Sequence, residues 1–338
     1  MKRVSILLLL PLALLLCGCG KTVPEEHSTS LFAMDTYMEL KAWTSDDGAA
    51  LDAAAERVAE LEKTFSVNIE NSDIHRINSA QGAPVQVCPE TETVIRRAKE
   101  IGEESGGALA ISIYPVLQAW GFTTQEMHVP DAGQLEALLP LVDDRKIQLD
   151  GDTVTVPAEM QLDLGSVAKG YTGDEIIRIL REAGAESGII SLGGNVQALG
   201  AKPDGTPWKV GIVNPFSPDE QLGVVEIKDR AVITSGNYER YFEEKGKRYW
   251  HILDSADGCP ADNGLVSVTV IGDCGLDCDA LSTALFVEGT ERAAEHWRRR
   301  QDFEMLLVTD DGRILLTEGV SATFSNQSGM PVEVIGNE

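Results

Sequence analysis

Apolar residues recur at helical spacing in the first third of the chain and at strand-like spacing through much of the rest. Over Asp46–Phe65, Leu51, Ala54, Val58, Leu61 and Phe65 share one face of an alanine-rich stretch, which predicts an amphipathic helix. Val94, Ala98 and Ile101 repeat that pattern over Glu90–Ser105, entered through Pro89, whose fixed φ suits a first helical turn. A third helix is predicted over Ser166–Ala183, closed by Gly184. Short β-branched runs then predict strands at Gly188–Leu192, Trp208–Val213, Gly223–Ile227, Val232–Thr234 and Leu265–Ile271. Asp277–Val287 and Glu291–Arg300 read as two further helices. Phe303–Thr309 and Arg313–Thr317 flank Asp310-Asp311-Gly312, a hairpin signal. Helices and strands interleave while several strands are joined by hairpins. The expected class is therefore α+β, with mixed and antiparallel sheets packed with helices, and a purely parallel doubly wound sheet is disfavoured.

The N-terminus follows neither rhythm. Lys2 and Arg3 precede an apolar run from Ile6 to Leu16, which is of signal-peptide length and short for a membrane span. The run ends in Leu16-Cys17-Gly18-Cys19, which resembles the lipobox of bacterial lipoproteins. The small Gly18 makes Cys19, rather than Cys17, the expected lipidation site, and an ordinary secretory signal is the alternative. Residues 1–18 are thus expected to be a lipoprotein signal peptide, 19–30 a lipidated (palmitate-bearing) tether, and 31–338 the folded domain. The expected location is exported and anchored to a bacterial membrane through the N-terminal lipid, beside the bilayer rather than across it.

A hydrophobic content of 43% supports a real core, and a formal charge of −26 excludes a basic stripe for nucleic acid. Cys88, Cys259, Cys274 and Cys278 remain beyond the leader; without a C-x-x-C and with five histidines, a zinc site is disfavoured. Cys274 and Cys278 could pair or sit free.

Four segments carry candidate chemistry. In Asp163-Leu164-Gly165-Ser166-Val167-Ala168-Lys169, an acid and a glycine precede a helix start, where backbone N–H groups and the helix dipole favour phosphate and Lys169 adds a full charge. Asp279 and Thr283 lie i and i+4 on one helical face, a carboxylate and a hydroxyl suited to a hard cation such as Mg²⁺. Each of these also reads as a capped helix. Thr234–Tyr241 leads to Trp250-His251-Ile252-Leu253-Asp254, where His251 in a predicted strand beside Asp254 could take a proton from a hydroxyl or be a structural core histidine. Met34, the Gly106–Ala110 stretch and Trp120-Gly121-Phe122 could wall a flat ring or simply fill the core.

In this order, the Leu162–Tyr171 segment, Ser191–Asn195, Trp208–Pro215, Thr234–Tyr241, His251–Asp254 and Asp279–Thr283 resemble the ApbE family, the FAD:protein FMN transferases. The likeness runs from about Met34 to Phe286. It implies an ApbE-like, T-fold-related α+β domain with the flavin between two lobes. It also implies FAD as substrate, Mg²⁺ as cofactor, and an exported acceptor protein of an electron-transfer system bearing a Thr/Ser flavinylation motif. Met34, Asn68, Ala108, Leu109, Ala110, Asp163, Lys169, His251 and Ile252 would contact FAD. The carbonyl of Ser166, with Asp279, Ser282 and Thr283, would bind the metal, and His251 would activate the acceptor hydroxyl. FMN would then pass to the acceptor through a phosphoester bond as AMP leaves. An Mg²⁺-dependent FAD pyrophosphatase and a non-catalytic flavin-binding lipoprotein are the rival expectations. Two positions depart from the family pattern. Ala110 stands where G-A-F-D carries an acid, and Ser255 stands where H-I-I-D-P-x-T-G carries a proline.

Overall fold

The computed structural model describes residues 23–124 and 126–337; Cys19 and the leader lie outside them. The first half contains β1 (Glu25–Ala33), β2 (Thr36–Thr44), α1 (Ala49–Phe65), α2 (Asp73–Ser79), β3 (Val85–Gln86) and α3 (Pro89–Glu104). A 3-10 turn (Ile111–Ile113), α4 (Tyr114–Ala119), α5 (Ala132–Leu138), β4 (Gln148–Asp150) and β5 (Thr153–Thr155) follow. Next come α6 (Ala168–Glu182), β6 (Ser187–Leu192), β7 (Asn195–Leu199), β8 (Trp208–Asn214), β9 (Ser217–Ile227) and β10 (Ala231–Gly236). The chain closes with β11 (Tyr241–Glu244), β12 (Lys247–Trp250), β13 (Leu265–Gly272), α7 (Gly275–Arg300), β14 (Phe303–Thr309), β15 (Ile314–Thr317), α8 (Glu318–Ser321), β16 (Phe324–Asn326) and β17 (Val332–Ile335).

A nine-stranded sheet in the order β1-β2-β6-β7-β10-β13-β14-β15-β17 forms the frame. Its pairs are antiparallel except β15–β17, which is parallel, so the sheet is mixed as the hairpin pattern predicts. Helices cover one face and the small sheet β16-β9-β8 covers part of the other. The alternation of β13 and β14 shows why. Val268, Val270, Met305 and Leu307 pack with the helix-side core, while Ile271, Leu306 and Val308 pack with Trp208, Val210 and Ile212 of β8. Ser267 and Thr269, both fully buried, interrupt the apolar residues of β13, and the Thr269 hydroxyl is paired with that of Thr234 at 2.8 Å. On the helix side, α1 and α6 lie over β2 and β6 through Leu51, Ala54, Val58, Ile176, Leu180, Met38, Leu40 and Ile190.

The sequence reading differs from the structure at several boundaries. A tether was expected through Ser30, yet β1 begins at Glu25 and pairs residue by residue with β2. As the edge strand of the sheet it alternates polar residues between solvent and a half-buried face, so no apolar run announces it. The first helix starts at Ala49 rather than Asp46, because Asp46 turns its carboxylate back to accept from the Gly48 and Ala50 N–H groups. The third helix starts at Ala168 rather than Ser166, since Val167 and Ala168 both donate to the Leu164 carbonyl in a tight turn. The two predicted C-terminal helices form one rod broken at Gly289, whose φ of 74° and ψ of 174° no helix accommodates. The Asp310–Gly312 hairpin joins β14 to β15 as expected, with Gly312 at φ 81°. All four cysteines among the described residues are unbonded. No helix among the described residues is long and apolar enough to cross a membrane.

The contact that positions the site is the crossing of α6 over α7. A Cβ at Gly170 would lie 2.2 Å from the Gly275 carbonyl oxygen and 2.6 Å from the Asp279 Cβ. The buried Gln197 of β7 donates to the Gly170 carbonyl at 3.0 Å, tying the crossing to the sheet. Gly170→Ala is therefore expected to destabilise the fold by about 1–3 kcal/mol through overpacking. Thermal unfolding checks this, and an unchanged midpoint would contradict it.

Candidate active site

The N-terminus of α7 has no cap of its own, because Cys274 makes no side-chain cap bond there. Asp174 of α6 takes that role, accepting from the Gly275 and Leu276 N–H groups at 2.7 and 2.9 Å. Burial pushes its carboxyl up to about 6, against the pull of those donors. Asp279, the next acid along α7 that faces inward, is thereby free of capping duty. It points back at α6, where Oδ2 accepts from the Gly170 N–H at 2.8 Å, and Oδ1 accepts from the Asn195 amide at 3.0 Å. Asn195 opens β7 just after the Gly193-Gly194 turn. Three elements thus converge on one carboxylate that is 5% exposed.

Hydroxyls extend the patch. Ser282 Oγ donates to the Asp279 carbonyl at 2.8 Å, and the Ser235 hydroxyl of β10 lies 2.8 Å from Ser282 Oγ and 3.3 Å from Thr283 Oγ1. The Gly170 N–H that a regular helix would aim at the Ser166 carbonyl goes to Asp279 instead. That carbonyl is left open to another partner. Burial pushes the Asp279 carboxyl above the usual carboxylate range, opposed by Lys169, the Gly170 N–H and the Asn195 amide. Among the described residues no group of three or more His, Cys, Asp or Glu side chains is placed to hold a metal. The donor set here is of a different kind. One buried carboxylate, hydroxyl oxygens and an unclaimed carbonyl fit a hard cation that keeps open positions, as Mg²⁺ does.

Facing this patch is a group of charged residues around Lys169. Its ammonium lowers the pKa of Asp163, Glu239 and Asp279 and also acts on His251, so all four lie within its field. Asp163 accepts from the Gly165 N–H at 2.8 Å, and burial pushes its carboxyl up while Arg240 and Lys169 oppose that. Glu239 is partly open to solvent, yet the surrounding protein pushes its carboxyl up to about 7, with Lys169 opposing and Asp279 adding to the rise.

His251 follows β12 directly instead of lying within a strand. Its backbone N–H donates to the Arg240 carbonyl at 3.1 Å, and Nδ1 lies 3.2 Å from the same oxygen. A carbonyl only accepts, so Nδ1 carries the proton and Nε2 keeps a basic lone pair. Close surroundings and the positive charges of Arg240 and Lys169 hold the imidazole pKa down to about 4. Asp254, its expected neighbour, caps the Ala256 N–H instead. Arg240 is fixed through its guanidinium to the Phe122 carbonyl at 2.7 Å, and the Phe122 ring meets His251 edge-on with centroids 6.4 Å apart.

The expected ring-wall residues divide. Met34 occupies the β1–β2 turn with φ 51°, followed by Asp35 at 58°, donates its N–H to Glu62 at 2.6 Å, and accepts the Thr172 hydroxyl at Sδ at 3.7 Å. That contact places its thioether against α6. Ala108 and Leu109 are buried and Ala110 is half-buried, on a loop whose Gly107 carbonyl accepts the Ser255 hydroxyl at 2.5 Å. Ile252 is buried, and its carbonyl accepts from Ala261. Trp120 is 2% exposed, donates Nε1 to the Gly258 carbonyl and packs with Phe122, Phe242 and Tyr249. It is core, and the aromatic group buttresses His251 from behind. Asn68 is exposed on the α1–α2 loop, its N–H bonded to Ser66, and no contact there joins it to the other candidates. The structure adds Asn195, Ser235, Glu239 and Arg240 to the site, each from inside the Ser191–Asn195 or Thr234–Tyr241 motif.

The ApbE family's sequence pattern matches residues 34–307. The chain belongs to the ApbE family. It is 36% identical over 308 residues to an FAD:protein FMN transferase of Klebsiella pneumoniae, covering 88% of this chain and 94% of that protein. A Treponema pallidum protein of the same name is 32% identical over 335 residues, covering 91% and 92%. Among solved structures, the ApbE protein of Thermotoga maritima superposes with a TM-score of 0.84 at 29% identity, covering 88% of this chain and 99% of that one. The flavin transferase ApbE of Vibrio cholerae superposes at 0.79 with 26% identity, covering 89% and 99%. The mixed α+β frame is thus the ApbE fold.

A histidine held near 4 stays neutral across the physiological range. In the ligand-free protein the His251 imidazole is expected to titrate near pH 4 in NMR, well below an ordinary histidine. The unfolded chain binds that proton at higher pH, so this group's contribution to stability is intact above about 6.5 and is lost as pH falls toward 4. A His251 midpoint near 6.5 would contradict this geometry.

Proposed function

We propose that this chain is an Mg²⁺-dependent FAD:protein FMN transferase, exported and held at a membrane by lipid on Cys19. The observation that carries the reading is the pairing of a cation-ready oxygen patch at Asp279 with a neutral, backbone-oriented His251, both within the field of Lys169. FAD brings a pyrophosphate to a chain of formal charge −26, so the attraction must be local. Lys169, Arg240 and the N-terminus of α6 supply it from this chain's own groups. Mg²⁺ held by Asp279, Thr283 and the Ser166 carbonyl, with Ser282 behind them, would supply the remaining positive charge beside the pyrophosphate.

His251 Nε2 takes the proton of an acceptor threonine or serine hydroxyl, and Nδ1–H stays on the Arg240 carbonyl as the ring becomes charged. The hydroxyl oxygen bonds to the FMN-side phosphorus as that phosphorus's bond to the bridging oxygen breaks. The electron pair leaves on AMP, and FMN remains on the acceptor as a phosphoester. The open side of His251 is where an acceptor segment enters, and Met34 with Ala108–Ala110 would flank the isoalloxazine ring. The acceptor class is an exported protein of an electron-transfer system with a threonine or serine presented in a short exposed motif.

The test is incubation of the full chain with FAD, Mg²⁺ and a threonine-bearing acceptor domain, read as FMN mass on the acceptor and AMP in solution. His251→Ala is expected to lower transfer by roughly a hundredfold or more while FAD binding persists. Asp279→Ala is expected to abolish the Mg²⁺ response. Free FMN and AMP released from FAD, with no FMN added to an acceptor that a known transferase does label, would establish a pyrophosphatase instead. Tight FAD binding without turnover would establish a binding protein.

A further inference from the structure

We propose that Asp144 is a positioning residue for the flavin pocket, a carboxylate brought from a distant segment to cap the Ala108–Ser112 loop in place of the alanine at the loop's own cap position. This inference rests on the FAD reading above. Ala110 is the N-cap of the 3-10 turn Ile111–Ile113, with the extended backbone of a cap (φ −142°, ψ 114°) and no side-chain bond to give. Asp144, which opens a second 3-10 turn (Asp144–Lys146), fills that role. Its Oδ2 accepts from the Ile111 N–H at 2.9 Å, and its Oδ1 accepts from the Ser112 N–H at 2.9 Å and from the Ser112 hydroxyl at 2.5 Å. Three donors on consecutive residues make this a complete cap across 33 positions of sequence.

The same turn reaches the site from its other side. The Ile111 carbonyl accepts from the Asp163 N–H at 2.8 Å, so the backbone of the segment leading to Lys169 hangs from the turn that Asp144 holds. Upstream, the loop is pressed on α3 so closely that a Cβ at Gly102 would lie 2.9 Å from the Leu109 carbonyl oxygen. The Ser105 hydroxyl accepts from the Leu109 N–H at 3.3 Å, and Ser255 holds Gly107 from the His251 side. Lys99 of α3 bonds the Ile147 carbonyl, fixing the Asp144 segment to the same helix. Without the carboxylate, the Ile111 and Ser112 N–H groups lose their acceptor, and Ala108–Ala110 lose one side of their support.

A carboxylate at position 110 would reach the Ser112 N–H directly, as an N-cap side chain reaches N2. The experiment therefore pairs loss with rescue in the full chain. FAD Kd is read by quenching of flavin fluorescence and folding by thermal midpoint. Asp144→Ala is expected to raise the FAD Kd roughly tenfold, and adding Ala110→Asp to that variant is expected to return it toward the starting value. A lowered midpoint with an unchanged Kd would show a role in folding alone and overturn the proposal. So would a folded double variant that recovers no affinity. Should Asp144→Ala not fold, the double variant decides alone, in the same two directions. An unaltered chain that does not bind FAD would overturn the FAD reading itself, a result distinct from normal binding in both variants.

Discussion

The site depends on one buried carboxylate. Asp279 receives the Gly170 N–H from α6 and the Asn195 amide from the start of β7, while its own helix is capped by Asp174 from α6. A carboxylate removed from water without a full counter-charge is costly unless its oxygens are satisfied. Here the satisfaction comes from groups that also fix the angle between two helices and a strand turn. The glycines at the crossing are the complement of that arrangement, since any side chain at 170 or 275 would push α6 and α7 apart and pull the N–H from its acceptor. The redirected Gly170 N–H frees the Ser166 carbonyl, so one contact both locks the frame and exposes an oxygen.

Charge explains why the groups must be so close. Net repulsion from a strongly acidic chain acts on an incoming pyrophosphate from every side, and only short-range attraction can overcome it. Lys169 stands within reach of Asp163, Glu239, Asp279 and His251. The three acids are pushed upward by their surroundings, and the histidine is pushed down. The imidazole, held down to about 4, keeps a free lone pair on Nε2 near neutral pH, and a bound cation would favour the charged form of the acids beside it.

Periodicity exposed the elements that bury a face. The faces of α1 and α3 and the buried valines and isoleucine of β13 follow from what each must pack against. Edge elements were harder to read. β1 carries alternating polar residues, and the β1–β2 turn uses Met34 and Asp35 at positive φ without the glycine or asparagine that would announce it. The candidate site was legible as a set of motifs, and the fold brings Asp163, Lys169, His251 and Asp279 into one electrostatic neighbourhood. The supports were not legible. Asp174 on Gly275 and Ser255 on Gly107 join residues more than 100 positions apart through hydrogen bonds that no local pattern encodes. Trp120 is open to two readings in the sequence, a ring wall or core, and its indole is spent in the core.

The central claim is that the oxygens gathered around Asp279 hold a divalent cation beside bound FAD. The most direct measurement is anomalous scattering from crystals of the chain grown with FAD and with Mn²⁺ in place of Mg²⁺. The account predicts a peak within bonding distance of the Asp279 carboxylate and the Thr283 hydroxyl, with the pyrophosphate on its open side. Bound FAD with no cation at those oxygens, or a cation held elsewhere in the chain, would contradict it.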